Sequence, residues 1–279
     1  MALTCGIIGL SNIGKTTIFN CVSNTKAEIS NFAFSTNKSN VGMVNVIDPR
    51  MYVIDKLIAA QKIVHATVEL VDIPGLTKGS SQGEGVGNKF LADIQQTNAL
   101  IHVLRCFDDE NLPHIEGSVD PLRDKEIVDF ELQIRDLDLV ERKLQRMEKL
   151  ARTGDKSAKQ GIDVLTKVKE HLEEMLNVRD LELSEDDKKN YIRDMYLLTE
   201  KPVLYVCNVD EASAGDGNNY VDQLKAGMSE ENPQILVIAG ALEAEIAELE
   251  DADDRKEFLS DAGLEEPGVD KLVRAAYDL

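Results

Sequence analysis

Short apolar runs recur along the chain, and segments with helical spacing separate most of them. Each run has the length of a strand buried on both faces of a sheet. Strands that alternate with helices are typical of an α/β domain with a mostly parallel sheet flanked by helices, so we predict that fold class. In chain order the predicted strands are residues 3–8, 42–47, 66–71, 99–106, 203–207 and 235–239.

The pattern changes between the fourth and fifth predicted strands. Apolar residues step by threes and fours along 127–147 and again along 162–175, with charged residues between them. Two such helices can bury their narrow apolar stripes against each other. We therefore predict an antiparallel α-helical coiled-coil hairpin, residues 129–199, inserted into a discontinuous α/β domain of residues 1–128 and 200–279.

A phosphate-binding loop follows the first predicted strand. Residues 9–16 read Gly-Leu-Ser-Asn-Ile-Gly-Lys-Thr, and 17–22 have the character of a helix start. The glycines let backbone N–H groups surround phosphate oxygens at a helix N-terminus. Lys15 can reach the β- and γ-phosphates, and the Thr16 hydroxyl can hold Mg²⁺. The sequence therefore predicts a nucleoside triphosphate site, and the nucleotide-binding domain is the α/β domain.

A second motif, after the third predicted strand, supplies groups for the metal and the γ-phosphate. Asp72 can contact Mg²⁺ through water, and the N–H of Gly75 can meet the γ-phosphate. Thr36 lies in the polar segment between the two motifs and is the candidate for a second hydroxyl on Mg²⁺. Three nearby serines compete for that role: Ser30, Ser35 and Ser39.

Leu76 occupies the position where a Ras-type GTPase has the glutamine that orients the attacking water. We therefore expect slow intrinsic turnover or the use of another group. Among the four histidines, His102 falls inside a predicted strand and is expected to pack against the sheet. His114 follows that strand in a polar loop and is the catalytic candidate, with a surface-loop position as the alternative.

The segment after the fifth predicted strand departs from the guanine-reading pattern. Asn208-Val-Asp-Glu211 stands where a guanine-specific loop has Asn-Lys-x-Asp. Glu211 is one methylene longer than Asp, which does not favour a carboxylate bond to guanine. Adenine becomes credible if Asn208 and the backbone near Val209 pair with its N6/N7 edge. Residues 238–242 also lack the usual Ser-Ala-Lys sequence of a base-supporting loop.

Charge and composition limit the classes of partner. The net charge is −20, and residues 241–270 hold 12 acidic against 2 basic residues. Such a chain is not expected to bind DNA directly and sequence-specifically, although a local basic patch or a basic protein partner remains compatible. We find no apolar stretch of spanning length, no signal-peptide pattern and no Cys-x-x-Cys pair, and therefore expect a cytoplasmic protein without membrane contact.

Six segments spread over nearly the whole chain form a specific combination. They are residues 9–16, 72–79 (Asp-Ile-Pro-Gly-Leu-Thr-Lys-Gly), 83–88 (Gly-Glu-Gly-Val-Gly-Asn), 105–107 (Arg-Cys-Phe), 208–211 and 264–268 (Leu-Glu-Glu-Pro-Gly). Together they resemble the YchF family, the Obg-like ATPases. The resemblance implies a P-loop GTPase fold with a coiled-coil insertion, hydrolysis of ATP at least as readily as GTP, and association with ribosomes or the translation machinery.

The resemblance also implies roles for individual residues. It places Mg²⁺ at Thr16 and Thr36 and gives His114 a catalytic part. Asn12 matches the position that in related GTPases can ligate K⁺, whose charge would replace an arginine finger. The implied nucleotide contacts are Asn12, Ile13, Gly14, Lys15, Thr16, Thr17 and Val209.

The chain departs from the family pattern in its first switch and at its end. Ala33 replaces the usual proline, and residues 38–40 read Lys-Ser-Asn where the family has Glu-Pro-Asn, so we expect a more flexible first switch. Family members continue into a small β-grasp TGS domain, whereas this sequence stops at Leu279. We therefore expect the partner contacts made by that domain to be absent.

These observations predict a monomeric P-loop nucleoside triphosphatase that binds ATP, or GTP, with Mg²⁺ and acts as a ribosome-associated switch. Two alternatives stay open. One is a guanine-specific ribosome-assembly GTPase. The other is a nucleotide-gated adaptor with incidental turnover, which Leu76 favours.

Overall fold

A six-stranded sheet and ten α-helices are present in the part of the chain that the computed structural model describes, residues 3–24, 40–74, 86–229, 231–249 and 251–279. The strands are β1 (Leu3–Ile8), β2 (Asn40–Val46), β3 (Ala66–Asp72), β4 (Ala99–Arg105), β5 (Val203–Asn208) and β6 (Gln234–Ile238). The helices are α1 (Lys15–Asn24), α2 (Pro49–Ile58), α3 (Val86–Gln95), α4 (Pro121–Ala151), α5 (Lys156–Glu173), α6 (Glu185–Asp187), α7 (Asn219–Gly227), α8 (Gly240–Glu248), α9 (Ala252–Asp261) and α10 (Gly268–Tyr277).

The sheet has the strand order β2-β3-β1-β4-β5-β6. Pairing is parallel from β3 through β6, and only β2, at one edge, runs antiparallel to its neighbour. The predicted α/β fold is therefore confirmed, and each predicted strand is present with its ends within two residues of the expected positions. Because β1, β3, β4 and β5 are parallel, the loops that follow them emerge at the same edge of the sheet.

The chain folds as two compact units, which we describe separately. Unit 1 contains the described residues before 75 together with Thr97–Lys125 and Val203–Leu279. Unit 2 contains the described residues 86–96 and Glu126–Pro202. The bounds predicted for the inserted hairpin, 129–199, stay a proposal.

Unit 1 has its core on the faces of the sheet. Central strand β4 is buried along its whole length, as expected for a continuous apolar run in a parallel sheet. Helix α1 packs against α8 and α10, and α10 also contacts β2. The four cysteines are buried in this unit: Cys5, Cys21, Cys106 and Cys207.

Unit 2 contains the helical hairpin. Asp155 caps α5 by accepting hydrogen bonds from the backbone N–H groups of Ser157 and Ala158. Lys169 on α5 reaches back to Glu141 on α4 at 2.9 Å, as in an antiparallel pair. The two stripes do not form the core alone, because Val178, Tyr191, Ile192, Met195 and Leu197 from the following segment are buried in the same cluster. Two stripe residues, Phe130 and Met175, are exposed.

A buried carboxylate ties α4 to the end of this segment. Asp136 accepts hydrogen bonds from the backbone N–H groups of Leu198 at 2.9 Å and Thr199 at 2.7 Å, and from the Thr199 hydroxyl at 2.7 Å. Burial raises the pKa of Asp136 to about 6. Among the described helices, none is both long and apolar enough to cross a bilayer.

Candidate nucleotide-binding site

The phosphate loop between β1 and α1 has a backbone that requires its glycines. Gly9 has a φ of +140° and Gly14 a φ of +92°. A Cβ on Gly9 would lie 2.5 Å from the carbonyl oxygen of Val103, and one on Gly14 would lie 2.3 Å from Nδ2 of Asn208. The loop therefore approaches β4 and β5 more closely than any side chain would allow. Asn12, at the exposed tip, also has a positive φ of +61°.

Lys15 is held inside this loop. Its side chain is buried, and its ammonium group donates a hydrogen bond to the carbonyl oxygen of Leu10. Burial lowers the pKa of Lys15 to about 8, while the nearby Asp72 carboxylate acts in the opposite direction. A buried cation without a direct carboxylate bond in the described structure is well placed to gain from an incoming phosphate.

Thr16 and Asp72 lie together beside the loop. The Thr16 hydroxyl donates to Oδ2 of Asp72 at 3.0 Å, and Oδ1 of Asp72 is buried with no hydrogen-bond partner among the described residues. A buried carboxylate oxygen normally has a hydrogen-bond partner, an ordered water or an ion. Hydroxyl and carboxylate oxygens are groups that Mg²⁺ prefers, so the pair fits the expected metal. Thr36, Gly75 and Leu76 lie outside the described residues.

Asn208, at the end of β5, joins two loops. Its Nδ2 donates to the carbonyl oxygen of Ile13 at 2.9 Å, and its Oδ1 accepts from the N–H of Gly240 at 2.9 Å. The side chain is buried. Asn208 therefore connects the phosphate loop to the start of α8, and its predicted contact with the base stays a prediction.

The next residues belong to the base-reading segment. The N–H of Val209 donates to the carbonyl oxygen of Ile238 at 2.9 Å. Glu211 is exposed and begins a short 3₁₀ turn, which Asp210 caps by accepting a hydrogen bond from the N–H of Ser213. The Val209 carbonyl is the backbone group of that residue that could still meet a base.

His114 is bonded at both ring nitrogens. Its Nδ1 accepts from the N–H of Glu116 at 3.1 Å, and its Nε2 lies 2.8 Å from Oδ2 of Asp124. Because a backbone N–H can only donate, Nδ1 is the unprotonated nitrogen and Nε2 donates to the carboxylate. The His114 side chain is only 3% exposed. In this orientation no ring nitrogen faces a substrate, and the predicted catalytic role stays a prediction.

Comparison of the sequence with known proteins also points to a nucleotide-binding protein. Residues 4–149 match the family of 50S ribosome-binding GTPases. The chain is 41% identical to the ribosome-binding ATPase YchF of Bacillus subtilis and 42% identical to that of Escherichia coli O157:H7, covering all of this chain and 76% of each relative. The chain belongs to the YchF family.

A solved YchF structure supports this assignment. The YchF GTPase of Schizosaccharomyces pombe superposes with a TM-score of 0.84 at 29% identity, over 99% of this chain and 75% of that one. The predicted YchF membership and P-loop GTPase fold are therefore confirmed. Membership of this family implies Mg²⁺-dependent nucleotide hydrolysis, in line with the Thr16–Asp72 pair.

Two residues of this YchF site were given no role from the sequence: Arg105, which appeared only within one of the segments that carry the family resemblance, and Asp124. Arg105 ends β4 with 2% exposure, donates to the carbonyl oxygens of Phe107 at 3.0 Å and Leu112 at 2.7 Å, and lies over the Phe107 ring. It orders the first part of the loop that carries His114. An arginine at the end of an otherwise apolar strand was the available signal. Asp124 offered no signal, because it is one of many acidic residues on α4.

Proposed function

We propose that this chain binds and hydrolyses ATP with Mg²⁺ and acts as a conformational switch on the ribosome, in the cytoplasm and as a monomer. The arrangement of Lys15, Thr16 and Asp72 around the phosphate loop is the observation that carries the nucleotide part. The ribosome part rests on the relatives named ribosome-binding ATPase. We also propose that the helical hairpin forms a separate inserted domain with the bounds 129–199.

In the proposed reaction each residue has a defined task. Lys15 and the loop N–H groups neutralise the β- and γ-phosphates. Thr16 and Thr36 hold Mg²⁺, and Asp72 contacts the metal through water. Gly75 binds the γ-phosphate through its N–H, and this contact couples the nucleotide to the switch.

Hydrolysis then requires a positioned water molecule. His114 is proposed to orient that water, since Leu76 cannot. Asn12, at the exposed tip of the loop, is proposed to ligate K⁺, whose charge would offset the charge that develops on the phosphates. Turnover is expected to be slow without the ribosome, because both groups must be brought to the phosphates.

The proposed preference for ATP rests on the backbone at Val209. Its N–H is already bonded to Ile238, so the group left for a base is the carbonyl oxygen, an acceptor. An acceptor matches the N6 amino group of adenine and opposes the O6 of guanine. The remaining proposed contacts are the second N–H of the Asn208 amide and the exposed Glu211 at the rim.

Titration of purified protein with MgATP and MgGTP tests the base preference. We expect ATP to bind more tightly, and tenfold tighter binding of GTP, about 1.4 kcal/mol, would contradict the proposal. Lys15→Ala should abolish binding of both nucleotides. His114→Ala should retain ATP binding and lower turnover, and unchanged turnover would reject the role of His114.

The two alternatives predict different results. A guanine-specific GTPase requires the tighter GTP binding described above. A nucleotide-gated adaptor requires nucleotide-dependent ribosome binding in a variant that binds ATP without hydrolysing it. Sedimentation of the His114→Ala variant with ribosomes, with and without ATP, separates the adaptor from a function that needs turnover.

A further inference from the structure

Asp124, in the first turn of α4, is a firmly held partner for His114. Its side chain is 2% exposed, and its Oδ1 accepts from Nη2 of Arg123 at 2.8 Å. The same guanidinium donates to the carbonyl oxygen of Ser118 at 2.6 Å and to its hydroxyl at 3.0 Å. The loop that carries His114 is therefore joined to α4 at two points, the imidazole and Ser118.

We propose that Asp124 is a positioning residue that keeps His114 in a docked orientation, and that the His114–Asp124 bond must break before each hydrolytic step. This inference rests on the proposed function, with His114 as the group that orients water. A catalytic group must come within hydrogen-bond distance of the reacting atoms. The docked ring cannot do so, because Asp124 and the N–H of Glu116 use both nitrogens.

The opposite role is the main competitor. In a serine-protease triad a carboxylate orients a histidine whose other nitrogen faces the substrate, so removing the carboxylate lowers the rate. Here the other nitrogen of His114 is occupied as well. Weakening the bond to Asp124 should therefore release the ring and raise the rate.

Asp124→Asn tests the sign of the effect. The asparagine oxygen can still accept from Nε2, but a bond to a neutral amide is about half as strong as one to a carboxylate. From that ratio we expect kcat for ATP to rise roughly three- to tenfold with KM unchanged. A lowered or unchanged kcat in a variant that melts at the wild-type temperature overturns the proposal.

A double variant separates positioning from a general structural effect. In the His114→Ala background, Asp124→Asn should leave kcat unchanged, because the docked ring is gone. A rise in that background as well would also overturn the proposal. Asp120→Asn is the matched control: it removes one negative charge from the same end of α4 and keeps an oxygen for the N–H of Arg123. We expect its kcat to equal that of the wild type.

A second measurement uses the unmodified chain and decides the matter if Asp124→Asn fails to fold. Nitrogen NMR of ¹⁵N-histidine-labelled protein should show the Nε2–H form of His114, and most of its carboxylate-bonded signal should persist at saturation with Mg²⁺ and a non-hydrolysable ATP analogue, because only a minor undocked fraction supports turnover. Absence of this signal in the free protein, or its complete loss at saturation, overturns the docking role. Absent turnover in the wild type would instead refute the proposed function.

Discussion

The contact between Gly14 and Asn208 allows a quantitative test of how the phosphate loop is held. Gly14→Ala places a Cβ at 2.3 Å from Nδ2 of Asn208, so the amide must move and lose its bonds to Ile13 and Gly240. Each buried bond contributes about 1 kcal/mol. The positive φ of +92° adds about 1–3 kcal/mol of backbone strain. We therefore expect Gly14→Ala to destabilise unit 1 by roughly 3–5 kcal/mol.

Asn208→Ala removes the obstacle. In that background Gly14→Ala meets no amide, and only the backbone strain of about 1–3 kcal/mol remains. Either single change removes the same two hydrogen bonds of Asn208, so the double variant loses them only once. Its destabilisation should therefore be about 2 kcal/mol smaller than the sum of the two single effects. Asn218→Ala is the matched control, since Asn218 also bonds a carbonyl oxygen, that of Cys106 at 2.8 Å, away from Gly14.

Urea unfolding followed by far-UV circular dichroism measures these free energies, because the chain has no tryptophan. Both units contribute to the signal, so the transition of unit 1 is identified by its shift when MgATP is added to the wild type. Additivity of Gly14→Ala and Asn208→Ala within about 0.5 kcal/mol would refute the reasoning. Coupling of equal size with Asn218→Ala would refute it too.

Three further predictions concern buried charged groups. Burial lowers the pKa of Lys15 to about 8, so this side chain is mostly neutral near pH 9, whereas a bound phosphate favours its charged form. Nucleotide binding near pH 9 should therefore be accompanied by proton uptake on Lys15. Identical calorimetric binding enthalpies in buffers of different ionisation enthalpy would contradict this. The raised pKa of Asp136, about 6, means that the folded state keeps a proton that the unfolded state releases. Unit 2 should therefore lose about 2 kcal/mol of stability as pH rises from 4 to 6, and Asp136→Ala should remove this dependence in urea titrations at each pH. The Glu243 carboxylate accepts from two N–H groups at the start of α10, including that of Gly268 at 2.6 Å, and Glu243→Gln leaves only one oxygen for them. This change should lower the free energy of unfolding by about 1–2 kcal/mol. Glu245→Gln, at an exposed position of the same helix, should leave it unchanged.

Much of the fold could be predicted because its signals are local. A strand buried on both faces is a continuous apolar run, so a central strand such as β4 was predictable without knowledge of its neighbours. The hairpin stripes were equally visible. The contribution of Tyr191 and Ile192 to the hairpin core was not, because these residues follow no helical period that points to α4 or α5.

The phosphate loop was determined by the sequence itself, since one strand, one turn and one helix start hold its eight residues together. Tertiary structure decided the rest of the site. Asn208 meets Ile13 across 195 residues and Gly240 across 32, and no pattern in the chain encodes that pairing. The sequence likewise presented His114 as a candidate near the phosphates, whereas the packed loop turns its ring toward Asp124. Periodicity and contiguous motifs depend on neighbours in the chain, but the partner of a polar side chain depends on which distant segment the fold brings beside it.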